Sequence, residues 1–226
     1  MVEVPRPIEI LHRDTELVVI NKPPDLSLLA DRSGSVCLWD ALPDLLGCRP
    51  YLVHRLDKPT SGVLLVALSP AAQRTLTRAF AARQLRKFYL AWVVGYPGAA
   101  GRIDLPLRKG RKSRYRVAGQ RADIVNRDGD WRLRSDAEGH PSTTRMRALV
   151  RSRDRSLLLL QPLTGRTHQL RVHLAWIGHP ILGDRLYGAP DSADQQADRL
   201  QLHSHRIVLP DGRTFVARHT ERWMSH

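Results

Sequence analysis

Short apolar runs separated by charged turns dominate this chain. Ile8-Glu9-Ile10-Leu11 and Leu17-Val18-Val19-Ile20-Asn21 flank the polar turn Arg13-Asp14-Thr15 and predict two paired strands. Val63-Leu64-Leu65-Val66-Ala67-Leu68 is apolar throughout and short, the pattern of a buried strand. A weak helical pattern over 36–46 is interrupted by Pro43. The clearest helix follows Ser69. Ser69 suits the N-cap, Pro70 suits the first turn, and Ala72, Leu76, Ala79, Phe80 and Arg83 recur at helical spacing. Over 86–95 the chain alternates, with Phe88, Leu90, Trp92 and Val94 on one side and Tyr89, Ala91 and Val93 on the other. Strands resume over 144–150 and 156–161. A helix over about 167–177 then places Leu170, Leu174 and Ile177 on one face, and Gly178 ends it in the left-handed conformation. The last strand, 202–209, runs into the turn Pro210-Asp211-Gly212.

These elements describe a strand-rich α+β fold with a few packed helices, taken as one domain over residues 1–226 with a loose lead-in at 1–7. Residues 109–141 differ in composition. They are dense in Arg, Asp and Gly and poor in aliphatic side chains apart from Ile124-Val125, which predicts a basic hairpin or extended insertion on the surface.

Charge narrows the class of partner. Thirty-six Lys and Arg stand against 22 Asp and Glu, a formal charge of +14, with arginine far outnumbering lysine. That balance favours a polyanion, and a guanidinium can both fork onto phosphate and stack on a base. Charge alone leaves a generically basic protein open. Arg74 and Arg78 occupy a second face of the helix after Ser69, read as solvated in preference to a direct RNA contact. Cys37 and Cys48 are the only cysteines, with no Cys-x-x-Cys spacing, so a disulfide framework or zinc ribbon is not expected. The N-terminus lacks the apolar core of a secretory signal, and the run Leu157-Leu158-Leu159-Leu160 is far too short to span a bilayer. A soluble, cytoplasmic protein with no membrane partner is expected.

The stretch His54-Arg55-Leu56-Asp57-Lys58-Pro59-Thr60-Ser61-Gly62 puts one carboxylate between cations on a backbone that cannot be regular. Pro59 lacks an amide hydrogen and Gly62 permits positive φ, so Asp57 is placed on a bent loop tethered to the strand that follows. If the segment before Pro59 is extended, Arg55 and Asp57 share one face and His54 and Leu56 the other. On local physics alone, a surface turn with an incidental Arg–Asp pair is an equal reading.

The pattern His-Arg-Leu-Asp-x-x-Thr-Ser-Gly resembles the active-site motif of the RluA-type pseudouridine synthases, which isomerise uridine in RNA. Two further blocks agree: Pro162 to His173, with Thr164-Gly165-Arg166 inside it, and Gly178 to Gly188. Asn21-Lys22-Pro23, Lys87-Phe88-Tyr89 and Leu202-His203-Ser204 match other landmarks in the right order. Gly139-His140-Pro141-Ser142 looks like a diverged form of a Gly-Lys-Pro-Ala segment. The resemblance runs from about Ile8 to about Phe215 and implies the short form without an S4-type domain. It also implies a pseudouridine synthase catalytic domain with a mixed, mainly antiparallel sheet and flanking helices.

It further implies roles. Asp57 matches the catalytic aspartate. Arg166 matches an arginine set against that carboxylate, where forked hydrogen bonds would direct it and favour its charged form. Tyr89 matches an active-site tyrosine that can stack on uracil and assist proton removal from C5; taken alone, a strand tyrosine is more often packing. Arg55 matches a residue that fills the space left by a flipped base. Leu170 is assigned to the apolar wall around uracil, although helix packing explains it equally well. The reaction is an internal rearrangement, so no metal and no organic cofactor is expected. The implied partner is RNA, a stem-loop of large-subunit ribosomal RNA or of transfer RNA, and the enzyme is expected to be a monomer.

His168 and His173 lie five residues apart and do not share a helical face. His203 and His205 share a strand face but have no third ligand nearby in sequence, so structural histidines are expected. Two other functions remain in comparison. A catalytically silent RNA-binding protein has no need of the Asp57, Arg166 and Tyr89 set. A carboxylate-dependent nucleosidase ordinarily uses two carboxylates and a water.

Overall fold

The computed structural model describes residues 8–30, 36–111, 114–188 and 197–219; the lead-in expected at 1–7 and Lys112 of the basic segment lie outside them. The chain forms two compact units, Met1–Lys87 with His203–His226, and Phe88–Leu202.

In the first unit the turn at Asp14 is built by its own side chain. Its Oδ1 accepts from the N–H groups of Glu16 (2.8 Å) and Leu17 (2.7 Å), which joins β1 (Glu9–Arg13) to β2 (Leu17–Lys22) as an antiparallel pair. β2 pairs antiparallel with β4 (Ser61–Ala67), and β4 pairs in parallel with β13 (Leu202–Val208). The short β3 (Tyr51–Leu52) lies on β4 and β14 (Thr214–Val216) on β13. Every residue of β4 is buried, so this strand reads as a continuous apolar run instead of an alternation.

α1 (Leu38–Leu46) continues through Pro43, which was expected to interrupt it. Pro43 forfeits one backbone hydrogen bond, but Leu38, Ala41, Leu42 and Leu46 bury one face, and tertiary burial outweighs the local loss. α2 (Pro70–Ala81) begins as predicted: the Ser69 hydroxyl accepts from the Ala72 N–H at 3.1 Å. Its Ala72, Leu76 and Ala79 pack into the core formed by Leu17, Val19, Val63, Leu65 and Ala67. Arg83 does not extend that face. It lies beyond the helix end with φ 57°.

The second unit holds a sheet in the order β5 (Arg86–Val94), β12 (Arg155–Pro162), β11 (Thr143–Arg151), β6 (Ala100–Asp104), β10 (Asp130–Leu133), β9 (Ile124–Arg127). Neighbours are antiparallel except β10 and β6, which are parallel. β7 (Leu107–Lys109) and β8 (Tyr115–Val117) form a separate two-stranded ribbon. Within the segment 109–141 lie β8 and the antiparallel pair β9 and β10. The segment supplies that pair to the main sheet and Val117 to the core beside Ile103, Leu105 and Leu107, which its low aliphatic content did not foretell.

α3 (Gln169–Trp176) starts two residues later than predicted, because His168 adopts the left-handed conformation (φ 55°). It also buries more than one apolar face: Gln169 through Ala175 are all buried, polar side chains included. Gly178 has φ 90° past its end, the positive value expected of a helix stop. The whole is α+β, with mainly antiparallel, mixed pairing and flanking helices.

Candidate active site

The expected site residues divide between the units. Arg55 and Asp57 belong to the first, and Tyr89, Arg166 and Leu170 to the second.

Residues 53–60 connect β3 to β4 without regular structure. The predicted alternation holds: Leu56 is buried, Arg55 is exposed and Asp57 is half-buried. His54 turns inward, stacks on Phe80 of α2 with ring centroids 4.6 Å apart, and accepts the Leu65 N–H on Nε2 at 3.0 Å. An Nε2 that accepts carries no proton, and burial first, then the nearby Lys87 cation, pushes the His54 pKa down to about 3. His54 is thus a neutral wedge that seats the loop on β4 and α2.

Three further fastenings act on the same loop. The Thr60 N–H closes a turn on the Asp57 carbonyl at 3.0 Å. Lys22, fully buried, donates from Nζ to the carbonyls of Pro23 (2.8 Å), Leu26 (2.9 Å) and Lys58 (3.0 Å). Ser61 is bonded to His203 Nδ1 at 2.9 Å, and His203 Nε2 reaches the Ala217 carbonyl at 3.0 Å. A carbonyl only accepts, so Nε2 carries a proton, and in the neutral ring the Ser61 hydroxyl donates to Nδ1. Next to it Gly62 has φ 110°, and a Cβ there would run into the Ser204 carbonyl, so only glycine lets β13 approach the start of β4.

In the second unit Tyr89 lies on β5 opposite Leu160, half-buried against the core that contains Leu170. Leu170 is 6% exposed, packed with Ala91, Val93, Leu158 and Leu160, so helix packing is an observed role for it. Gly165, Arg166 and Thr167 are exposed on the turn that leads into α3. Arg166 Nε donates to the Pro141 carbonyl at 3.3 Å, and its backbone N–H donates to Gln169 Oε1 at 3.1 Å.

The residue after that turn is tied elsewhere. His168 Nδ1 lies 2.8 Å from the Tyr187 hydroxyl, which also accepts the Tyr115 N–H at 2.9 Å. Arg171 stacks over the Tyr187 ring and forks onto buried Asp184 at 2.8 and 2.7 Å. This connects β8 of the basic ribbon to the start of α3. All four histidines singled out in the sequence have hydrogen-bond partners: His168, His173, His203 and His205. Among the described residues no group of three or more His, Cys, Asp or Glu is arranged to hold a metal. No helix among them is long and apolar enough to cross a membrane.

The model of the RNA pseudouridylate synthase family matches residues 16–176, more than half of the chain. The chain belongs to the RNA pseudouridylate synthase family. It is 37% identical over 213 residues to the dual-specificity RNA pseudouridine synthase RluA of Escherichia coli K12, covering 88% of this chain and 85% of the relative. It is 33% identical over 240 residues to tRNA pseudouridine synthase C of Yersinia pestis, covering 96% and 88%. Among solved structures it resembles human RNA pseudouridylate synthase domain containing 4, with TM-score 0.79, 29% identity, and 95% and 90% of the two chains covered. The protein is an RNA pseudouridine synthase and hence an isomerase.

Polar side chains turned toward the interior hold both the Asp57 loop and the Arg166 turn. Sequence alone points to no functional role for Lys22, His54, Thr144, Gln169, His173 or His203. Lys22 had a signal, since a lone cation follows the strand Leu17-Val18-Val19-Ile20-Asn21 directly before two prolines. Thr144 and Gln169 had none, because nothing local separates a buried threonine or glutamine from an exposed one.

Proposed function

We propose that this pseudouridine synthase isomerises specific uridines in structured RNA, large-subunit ribosomal RNA first and transfer RNA next, with Asp57 as the catalytic carboxylate. The observation that carries the proposal is the Asp57 loop. A single half-buried carboxylate sits on an irregular segment fastened by Lys22, His54, the Thr60 turn and the Ser61–His203 bond. Such fastening is what a reactive group needs to be held within a fraction of an ångström, and mere RNA binding would gain nothing from an anion there. The similarity to relatives named for dual specificity and for tRNA supports the choice of substrate class.

In this reading Asp57 is the nucleophile or base toward the ribosyl–uracil unit while the N1–C1′ bond breaks and C5 joins C1′. Arg166 orients it by forked hydrogen bonds. Tyr89 stacks on uracil, Arg55 occupies the space of the flipped base, and Leu170 closes the apolar wall. The reaction is redox-neutral and hydrolyses nothing, so the enzyme works without metal or cofactor. It acts as a cytoplasmic monomer on an RNA stem-loop.

The test is product analysis with purified Asp57→Asn. Loss of isomerisation with RNA affinity within two-fold of the parent is expected, since the amide keeps shape and loses charge. Turnover near the parent rate would remove Asp57 from the mechanism, and release of free uracil by the parent enzyme would favour a nucleosidase. Mapping pseudouridines in cellular RNA with and without the gene identifies the target.

A further inference from the structure

We propose that Gln169, Thr144 and His173 are positioning residues, a directional hydrogen-bonded relay that sets the main chain of Arg166. The proposal rests on the reading of Arg166 as partner of the catalytic carboxylate. Its geometry lies wholly within the second unit.

The direction of every bond follows from what each group can do. His173 Nε2 lies 3.0 Å from the Leu105 carbonyl, which only accepts, so Nε2 carries the ring proton. Nδ1 is then bare, and the Thr144 hydroxyl 3.0 Å away must donate to it. With its hydrogen committed, the Thr144 oxygen accepts, and the Gln169 amide nitrogen donates to it at 3.0 Å and to the Thr143 carbonyl at 2.9 Å. That leaves Gln169 Oε1 as an acceptor on the other side. It takes the Thr164 hydroxyl at 2.7 Å and the Arg166 N–H at 3.1 Å. Thr164 is itself oriented, because its oxygen accepts the Thr143 N–H at 2.9 Å. Gln169 therefore makes all four hydrogen bonds an amide side chain can make. Its own N–H returns to the Arg166 carbonyl at 3.1 Å, so both main-chain groups of Arg166 end on one residue.

A leucine or methionine would fill this space without the desolvation that polar groups incur, and a partly satisfied network would be worse than an apolar core. Complete saturation favours geometry as what the network supplies. The relay members are buried: Thr144 and His173 are 0% exposed, Gln169 4% and Thr164 5%. Directly above them Gly165, Arg166 and Thr167 stand in solvent without regular structure. A charged residue on such a turn would otherwise sample many directions, and loss of that freedom in advance is what accelerates a reaction between oriented groups. The relay contains no net charge, so it can hold a cationic residue from beneath without repelling it.

The test uses the full chain with Gln169→Met, Thr144→Val and the conservative Thr144→Ser. Four quantities are read: single-turnover rate at saturating RNA, RNA dissociation constant, melting temperature, and hydrogen exchange of the Arg166 amide. Gln169→Met should slow the single turnover at least ten-fold with affinity within two-fold, and should speed Arg166 exchange at least ten-fold. Thr144→Val should fall between it and the parent, and Thr144→Ser should return to within two-fold of the parent. A Gln169→Met rate within two-fold of the parent would overturn the proposal, as would unchanged Arg166 exchange or a Thr144→Ser variant as slow as Thr144→Val. If Gln169→Met does not fold, the Thr144 pair decides. Arg166→Lys separates the two readings: normal single turnover there removes the role of Arg166, while Arg166 exchange in the other variants still judges the relay.

Discussion

The Asp57 loop of the first unit is held from below by an ammonium group, whereas the Arg166 turn of the second is held by a neutral amide. Lys22 gathers three carbonyls from two stretches of chain, Pro23 and Leu26 just after it and Lys58 36 positions away. Gln169 gathers two donors and two acceptors. The difference follows the charge of the residue on top. A cation beneath a loop that carries a carboxylate adds attraction, and charge-assisted bonds are roughly twice as strong as neutral ones. A cation beneath an arginine would repel it, so a neutral group with fixed donor and acceptor ends serves there. Each arrangement has a cost, since a buried ammonium must recover its hydration and a buried amide must find four partners.

Breaking the ammonium clamp gives the largest expected effect on stability. Lys22→Met leaves three carbonyls without their donor; the Leu26 bond is buried and those to Pro23 and Lys58 are partly buried. At about 1–3 kcal/mol for the buried group and less for the other two, the variant should lose about 2 kcal/mol or more. Urea unfolding followed by a probe in the first unit checks this. A loss below about 1 kcal/mol would mean that the ammonium does not fasten the loop.

Acid should act on a neutral histidine in each unit. Burial holds the His173 pKa down at about 4, against its bonds to Leu105 and the field of Asp104, and burial with Lys87 holds that of His54 at about 3. Both lie below the ordinary value near 6.5, so the stability these rings contribute is complete above that pH. As pH falls from about 6.5 the unfolded chain takes up protons that the folded chain refuses. The fully buried His173 then loses about 1.4 kcal/mol per pH unit until roughly pH 4. Denaturant titrations at pH 7.5, 6 and 5 should show a steepening decline, and a flat profile would contradict the assigned neutral rings.

The smallest effect concerns the basic ribbon. Neutralising Arg111, Lys112, Arg114 and Arg116 together should leave stability and the saturated chemical step unchanged. RNA binding should weaken, and the slope of log affinity against log salt should fall by about one for each phosphate that is no longer neutralised. Titrations at several salt concentrations decide it, and an unchanged slope assigns the cluster to solvent. Tyr187→Phe sharpens this result, because the Tyr115 N–H loses the hydroxyl that ties β8 toward His168.

Much of the architecture was legible because local rules and tertiary demands agree. Asp14, Ser69 and Gly178 act at the turn, cap and stop predicted for them. The loop at Asp57 is irregular where Pro59 and Gly62 required it, with Leu56 inward and Arg55 outward. Local rules failed where burial overrode them. Pro43 is carried inside α1 by its apolar face, α3 is enclosed on all sides, and part of a polar, arginine-rich segment becomes sheet.

The order of residues along the chain determined the strands, the bent loop, the basic character and the motif blocks that indicate uridine isomerisation. Those features are local, set by backbone sterics, periodicity and charge within a few positions. The tertiary structure alone decided which polar side chains lie in the interior and what they meet there. Lys22 reaches Lys58 across 36 positions, Ser61 reaches His203 across 142, and Thr144 reaches His173 across 29. A buried polar group must find its partner in space, wherever the fold delivers one. That search is resolved only when the chain has closed, which is why the partners of the groups fastening both loops could not be read from the sequence, even where, as at Lys22, the residue itself gave a signal.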